Sequence, residues 1–200
     1  MFIFVTTLFV LHFKKSIPIK KVNINIKIYL FLNPFLEASL NKEGKLEEAR
    51  KLFLLSIELI IVVAVAMACG ISAISKEFTP FFFGKGYDEC IRLIIALSPV
   101  LVIKGLSEIA RMQYLIPNHK EKIFIESVFC GAGVNFVVNW FLISRLGALG
   151  AVIGTLVAEL VSCVWQYIKM NKYISCLTTI FKSMIYVVFG VIMFTIVRVV

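Results

Sequence analysis

Charged residues are scarce in this chain. They make up 16% of its 200 residues, whereas hydrophobic residues make up 60% and the mean hydropathy is +0.94. A soluble domain of this length needs a largely polar surface, so the composition excludes a water-soluble globular protein. The apolar residues instead gather in blocks near the length that crosses a bilayer as a helix, roughly 20 residues. The sequence therefore predicts an all-α, polytopic transmembrane helix bundle that is embedded in, and contacts, the lipid bilayer.

The chain also lacks the clusters that metal binding or nucleophilic catalysis requires. Its five cysteines and two histidines are scattered singly, without metal-ligand spacing: Cys69, Cys90, Cys130, Cys163, Cys176, His12 and His119. Glycine-rich phosphate loops, serine elbows and CxxC redox motifs are missing as well. We therefore expect no metal, no cofactor and no enzymatic activity, and we interpret the cysteines as small buried apolar residues.

The net charge of +9 arises from 21 Lys and Arg residues against 12 Asp and Glu residues. The cations lie mainly in short connections between apolar blocks, a pattern typical of membrane topology and not of nucleic-acid binding. Nine lie on one side of the predicted membrane: Lys42, Lys45, Arg50, Lys51, Lys120, Lys122, Lys169, Lys172 and Lys182. The other side has five: Lys76, Lys85, Arg92, Arg145 and Arg198. The side with nine cations is predicted to be cytoplasmic, and the C-terminus then lies outside.

The candidate spans cover about residues 52–75, 91–113, 123–143, 150–168 and 183–200. An amphipathic stretch, residues 42–51, precedes the first span, and we expect it to form a cytoplasmic surface helix. The fourth span begins with GAVIGT, whose small residues permit close helix packing in lipid. Residues 1–41 are predicted to be an irregular N-terminal region with incomplete apolar segments. The bundle is then formed by residues 42–200.

The second span is unusual because it carries three charged residues. Lys104, Glu108 and Arg111 are spaced four and three residues apart, so they share one face of a helix. A charged side chain at the centre of a spanning helix costs about 2.5 to 3.5 kcal/mol, so this face is predicted to avoid lipid. Glu159 lies near the middle of the fourth span. By depth, Lys104 and Glu159 either meet across the bundle or face a shared cavity.

Two interpretations of this charged face remain open from the sequence. In the first, Lys104, Glu108 and Arg111 neutralise one another as a network within one helix and hold the bundle together. In the second, they line a water-filled path whose net positive charge attracts the phosphate or pyrophosphate of a lipid-linked substrate.

Other polar residues of the spans have simpler interpretations. Asn135 and Asn139 lie four residues apart on one face, where we favour hydrogen bonds between helices over a role in substrate binding. Pro99 is expected to kink the second span, because proline removes a backbone donor.

Five segments, in order, resemble parts of a known family. They are NPFLEASLNKEGKLEEARKLF at 33–53, FFFGKGYDEC at 81–90, QYLIPNHKEK at 113–122, VNFVVNWFLISRLGALGAVIGTLVAEL at 134–160 and KSMIYVVFGVIMF at 182–194. Together they are similar to the C-terminal lobe of the polysaccharide (O-antigen type) flippases. These transporters belong to the multidrug, oligosaccharidyl-lipid and polysaccharide exporter superfamily.

The resemblance implies half of a two-lobed transporter fold. Such a carrier moves undecaprenyl-pyrophosphate-linked oligosaccharide across the bacterial inner membrane by alternating access between its lobes. By the resemblance, Lys104 and Arg111 lie on a helix that lines the central cavity, with Glu108 and Glu159 near it. The family's N-terminal lobe has no counterpart in this chain, so we expect a truncated or frameshifted product that needs a second copy or a separate partner as its other wall.

Three alternatives remain. In the first, the chain is a cation-coupled drug or metabolite antiporter of the same superfamily, and Glu108 or Glu159 carries a proton or sodium ion. In the second, the chain is a nonfunctional remnant. A membrane-embedded transferase is disfavoured, because the loops are short and hold no residue cluster suited to metal or acid–base chemistry. The acidic pair Asp88 and Glu89 is interpreted as a solvated helix start.

Overall fold

A computed structural model describes residues 46–172 and 176–199 of the chain. These residues form helices and contain no β-strand. The helices are α1 Leu46–Phe82, α2 Glu89–Leu97, α3 Val100–Ile109, α4 Glu121–Leu146, α5 Ala148–Asn171 and α6 Leu177–Val199, with a π-helix, Ala110–Leu115, between α3 and α4. The predictions for residues 1–41, Lys42 and Lys45 fall outside the described residues.

The all-α class and the five spans predicted from hydropathy are confirmed. The helices long and apolar enough to cross a membrane are Arg50–Phe82, Glu89–Leu115, Glu121–Leu146, Ala148–Asn171 and Thr178–Ile196. The second of these combines α2, α3 and the π-helix into one path of 27 residues. The chain is therefore a multi-pass membrane protein.

The first span is longer than predicted. The sequence indicated a surface helix up to residue 51 and a span ending near residue 75, but α1 is one helix of 37 residues. At 1.5 Å per residue it is about 55 Å long, well beyond the roughly 30 Å of hydrocarbon, so its ends extend past the lipid core. Pro80 does not stop it early, because this proline lies in the last turn, where few backbone bonds remain to be lost.

The second span is interrupted at the predicted proline. Helix α2 ends at Leu97 and α3 begins at Val100, with Ser98 and Pro99 between them. The Ser98 hydroxyl donates to the Ile95 carbonyl oxygen at 3.0 Å, and the hydroxyl of Ser72 on α1 donates to Ser98 Oγ at 2.7 Å. The interruption is thus fixed to the first span by a direct hydrogen bond.

The π-helix that follows α3 was not predicted from the sequence. Its wider turn places Gln113, Tyr114 and Leu115 in the interior, where they are at most 6% exposed. The Tyr114 hydroxyl accepts a hydrogen bond from Lys120 Nζ at 3.0 Å, beyond the end of the span. Partial burial lowers the pKa of the Lys120 ammonium, because desolvation disfavours the charged form.

Helices α4 and α5 share the most extensive contact among the described helices. Gly147, with φ of 57°, makes the sharp turn that joins them. A Cβ added at Gly150 would overlap the Leu142 backbone carbonyl, and one added at Gly131 would overlap the Ser162 hydroxyl. The small residues at the start of α5 therefore allow the close helix approach expected in lipid.

Other contacts hold α1 and α5 to the rest of the bundle. The Tyr186 hydroxyl of α6 donates to Glu58 Oε1 of α1 at 2.7 Å. The Tyr167 hydroxyl of α5 donates to the Leu106 carbonyl of α3 at 3.1 Å. Helix α3 packs against both α1 and α5, and Gly105 on α3 lies against Ile60 of α1. The charged residues of α3 are thereby held beside α5.

The glycine contact between α4 and α5 gives the first testable prediction. Gly150→Ala is expected to lower the free energy of unfolding by about 1 to 3 kcal/mol, because the new methyl group meets a backbone carbonyl that cannot rotate away. Gly133→Ala on α4 is the matched control, since a Cβ there meets nothing within 4 Å. Chemical unfolding in mild detergent, followed by circular dichroism, measures both. Equal stability of the two variants would contradict the close packing.

Candidate functional site

A cleft of about 410 Å³ lies between α3, the π-helix, α4 and α5. We call it the polar cleft. It is lined by Lys104, Ser107, Glu108, Arg111, Phe124, Val128, Gly131, Ala132, Asn135, Ala158, Glu159, Ser162 and Gln166. Its volume is in the range of pockets that bind small molecules or parts of larger ligands.

Lys104 and Glu159 meet inside the polar cleft. The Lys104 Nζ and Glu159 Oε1 atoms are 2.6 Å apart, so α3 and α5 are joined by an ion pair. The Lys104 side chain is 60% exposed and that of Glu159 is 22% exposed. The depths counted from the sequence predicted that these residues would meet or share a cavity, and they do both.

Glu108 and Arg111 form a second ion pair on the same wall of the cleft. Arg111 Nε donates to Glu108 Oε2 at 3.2 Å, and Arg111 Nη2 contacts Glu108 Oε1. The Arg111 guanidinium also lies 5.4 Å from the centre of the Phe124 ring of α4, within the range of a cation–π contact. The three residues predicted to share a helix face therefore all line one cleft.

Neither interpretation of the charged face is fully correct. The network is not confined to one helix, because Lys104 pairs with α5 and only Glu108 and Arg111 pair within their own chain segment. The cleft does not have the expected net positive charge either, since its two cations are matched by two carboxylates. The fourth charge, Glu159, comes from a different span and completes the balance.

Among the described residues, Asn135 and Asn139 bond to each other within α4, so the predicted bonds between helices are not found there. Asn139 Nδ2 donates to Asn135 Oδ1 at 2.9 Å, which is a bond between successive turns of α4. The spacing of four residues makes this contact available, while the missing side chain of Gly154 brings the α5 backbone against the Asn139 amide. Asn135 lines the cleft and Asn139 does not.

Sequence reasoning missed three polar residues beneath the charged pairs. The Ser162 hydroxyl donates to the Ser127 carbonyl oxygen at 2.9 Å, and Gln166 Nε2 donates to Ser127 Oγ at the same distance. Ser127 and Gln166 are at most 1% exposed. The signal was present in the sequence, because Ser162 and Gln166 follow Glu159 at helical spacing and so share its face of α5.

The cleft is open on one side, where Lys104 and Glu108 are each more than half exposed. Other positions on α4 have a different character, since Phe129, Phe136 and Trp140 are between 69% and 75% exposed. Those aromatic side chains suit contact with lipid, whereas the ionised groups do not. The open side of the cleft therefore requires water or another protein surface in front of it.

Comparisons with protein-family models, with curated proteins and with solved structures each found no match to this chain. The family resemblance of the five segments stays a prediction from the sequence. The arguments for function that follow rest on the geometry of the polar cleft and on the chemistry of the residues in it.

The ion pair between α3 and α5 gives the second prediction. Lys104→Met is expected to lower the free energy of unfolding by about 1 to 3 kcal/mol, because it leaves a largely buried carboxylate without its partner. In the double variant Lys104→Met with Glu159→Gln, no unpaired charge remains, so the loss should be smaller than the sum of the single losses.

An exposed pair provides the control for this cycle. Arg92 and Glu89 lie 3.4 Å apart with side chains more than 70% exposed, so Glu89→Gln is expected to change stability by no more than about 0.5 kcal/mol. Chemical unfolding in detergent measures five proteins: the unchanged chain, Lys104→Met, Glu159→Gln, the double variant and Glu89→Gln. Additive losses in the double variant would show that Lys104 and Glu159 do not interact.

Proposed function

We propose that this chain is one lobe of a polysaccharide flippase, which moves lipid-linked oligosaccharide across the bacterial cytoplasmic membrane. The observation that carries the proposal is the Lys104–Glu159 ion pair inside a cleft between spanning helices. Placing an ionised side chain within a membrane-spanning helix costs free energy, and such residues are retained for function more often than for stability. The resemblance of the five sequence segments to the flippase C-terminal lobe agrees with this function.

The cations of the cleft suit a pyrophosphate group. Lys104 offers an ammonium with three donors, and Arg111 offers a planar fork that matches two phosphate oxygens. Each cation is held by a carboxylate, which in this proposal acts as an internal substitute for the anionic ligand. An entering pyrophosphate takes the place of the Glu159 and Glu108 oxygens, and the two released carboxylates then need water at the open side of the cleft or a proton.

The open side of the cleft suits the other parts of such a substrate. A polyprenyl tail is apolar and stays in the bilayer, whereas the pyrophosphate and the sugars need the polar groups between the helices. In this proposal a second lobe, supplied by another copy or by a separate protein, forms the opposite wall. Alternating access then arises from movement of one wall against the other.

Ligand binding tests the proposed function. The full chain in lipid nanodiscs is expected to bind undecaprenyl-pyrophosphate-linked oligosaccharide, as measured by native mass spectrometry. Replacing both Lys104 and Arg111 by Gln should weaken binding at least about tenfold, because two charge-assisted contacts to the phosphates are lost.

Lys85→Gln is the control for the loss of a positive charge, since Lys85 lies in the exposed connection between α1 and α2 and does not line the cleft. Its affinity should equal that of the unchanged chain. Absence of binding by the unchanged chain, or equal binding by the variant without the two cleft cations, contradicts the proposed function.

A further inference from the structure

One hydrogen-bond acceptor at the bottom of the polar cleft has no donor within the described ranges. Gln166 is 1% exposed and lines the cleft, and its Oε1 atom has no hydrogen-bond partner among the residues that the structure describes. Buried amide oxygens are nearly always paired, because an unpaired one loses its contact with water and gains nothing in return. This atom therefore requires a donor that the helices do not supply.

The orientation of the Gln166 amide is fixed by its neighbour. The Ser127 hydroxyl donates its proton to the Phe124 carbonyl oxygen at 2.7 Å, so Ser127 Oγ can only accept from Gln166. The NH₂ group of Gln166 must face Ser127 for that reason. The carbonyl oxygen is then the atom without a hydrogen-bond donor among the described residues. The unpaired atom is thus an acceptor and its missing partner is an O–H or N–H group.

Arg111 and Gln166 both line the polar cleft beside the start of α4. Arg111 and Gln166 each follow the Lys104–Glu159 pair by seven residues on their own helices, and both then contact the first turns of α4. Arg111 lies over the Phe124 ring, and Gln166 bonds to Ser127. A ligand whose phosphate contacts Arg111 reaches the Gln166 carbonyl only when neighbouring side chains move, because Gln166 is 1% exposed.

We propose that Gln166 recognises the sugar that carries the pyrophosphate, by accepting a hydrogen bond from a hydroxyl or amide N–H group of that sugar. This inference rests on the proposed function, because it assumes that the pyrophosphate binds at Lys104 and Arg111. Gln166 then determines specificity. The cations hold any polyprenyl pyrophosphate, and the amide oxygen favours one that has a sugar attached. A site built to pair with a ligand donor discriminates against a ligand that lacks it.

Two lipids that differ only by a sugar test this proposal. The full chain in nanodiscs is titrated with undecaprenyl pyrophosphate and with undecaprenyl-pyrophosphoryl-N-acetylglucosamine, and the ratio of the two affinities is the readout. The unchanged chain is expected to prefer the sugar-bearing lipid by about fivefold or more, the effect of one hydrogen bond. Gln166→Met, which keeps the size but removes the acceptor, should bring the ratio to about one.

Two further variants separate recognition from a structural role. Gln166→Glu keeps an acceptor oxygen and should retain the preference for the sugar-bearing lipid, even if its charge weakens both affinities. Thr155→Val changes a polar residue of α5 that does not line the cleft, and it should retain the preference as well.

The outcomes distinguish this proposal from the one on which it rests. Gln166 does not recognise the sugar if the unchanged chain binds both lipids equally or if Gln166→Met keeps the full preference. Neither result contradicts the proposed function. If the unchanged chain binds neither lipid, both proposals are overturned. Loss of preference in Gln166→Met with retention in Gln166→Glu supports the assignment.

Discussion

The structure depends on one constraint, that ionised groups within a membrane span must be paired and kept from lipid. Lys104 and Glu159 satisfy it by meeting at 2.6 Å across two helices, and Glu108 and Arg111 satisfy it within one wall. Four charges thereby cancel in one cleft. Pairing of this kind avoids the cost of leaving one charge without a partner away from water.

The rest of the bundle serves to place these groups. Glycines at the start of α5 bring it close to α4, and the Tyr167 hydroxyl ties α5 to the backbone of α3. The break at Pro99 is fixed to α1 through Ser72 and Ser98, so the charged part of the second span is anchored on both sides. Support of this kind fixes the positions of Lys104 and Arg111 beside the cleft.

Much of this arrangement could be predicted from the sequence. Hydropathy located five spans, and helical spacing placed Lys104 and Arg111 on one face with Glu159 at a matching depth. The π-helix was not predicted, and Asn135 and Asn139 were expected to bond between helices although their spacing of four residues also permits the bond within α4. Helical spacing from Glu159 places Gln166 on the same face of α5, but its hydrogen bond to Ser127 on α4 could be found only from the packed helices.

Accessibility measured by electron paramagnetic resonance tests the central claim most directly. Val128 lines the polar cleft, while its neighbour Phe129 is 75% exposed outside it, so spin labels at the two positions lie at nearly the same depth. The account predicts that the label at 129 contacts lipid-soluble oxygen, whereas the label at 128 is shielded from oxygen and reached by a water-soluble nickel chelate. Equally strong oxygen contact at both positions, without nickel contact at 128, would contradict a polar cleft held away from lipid.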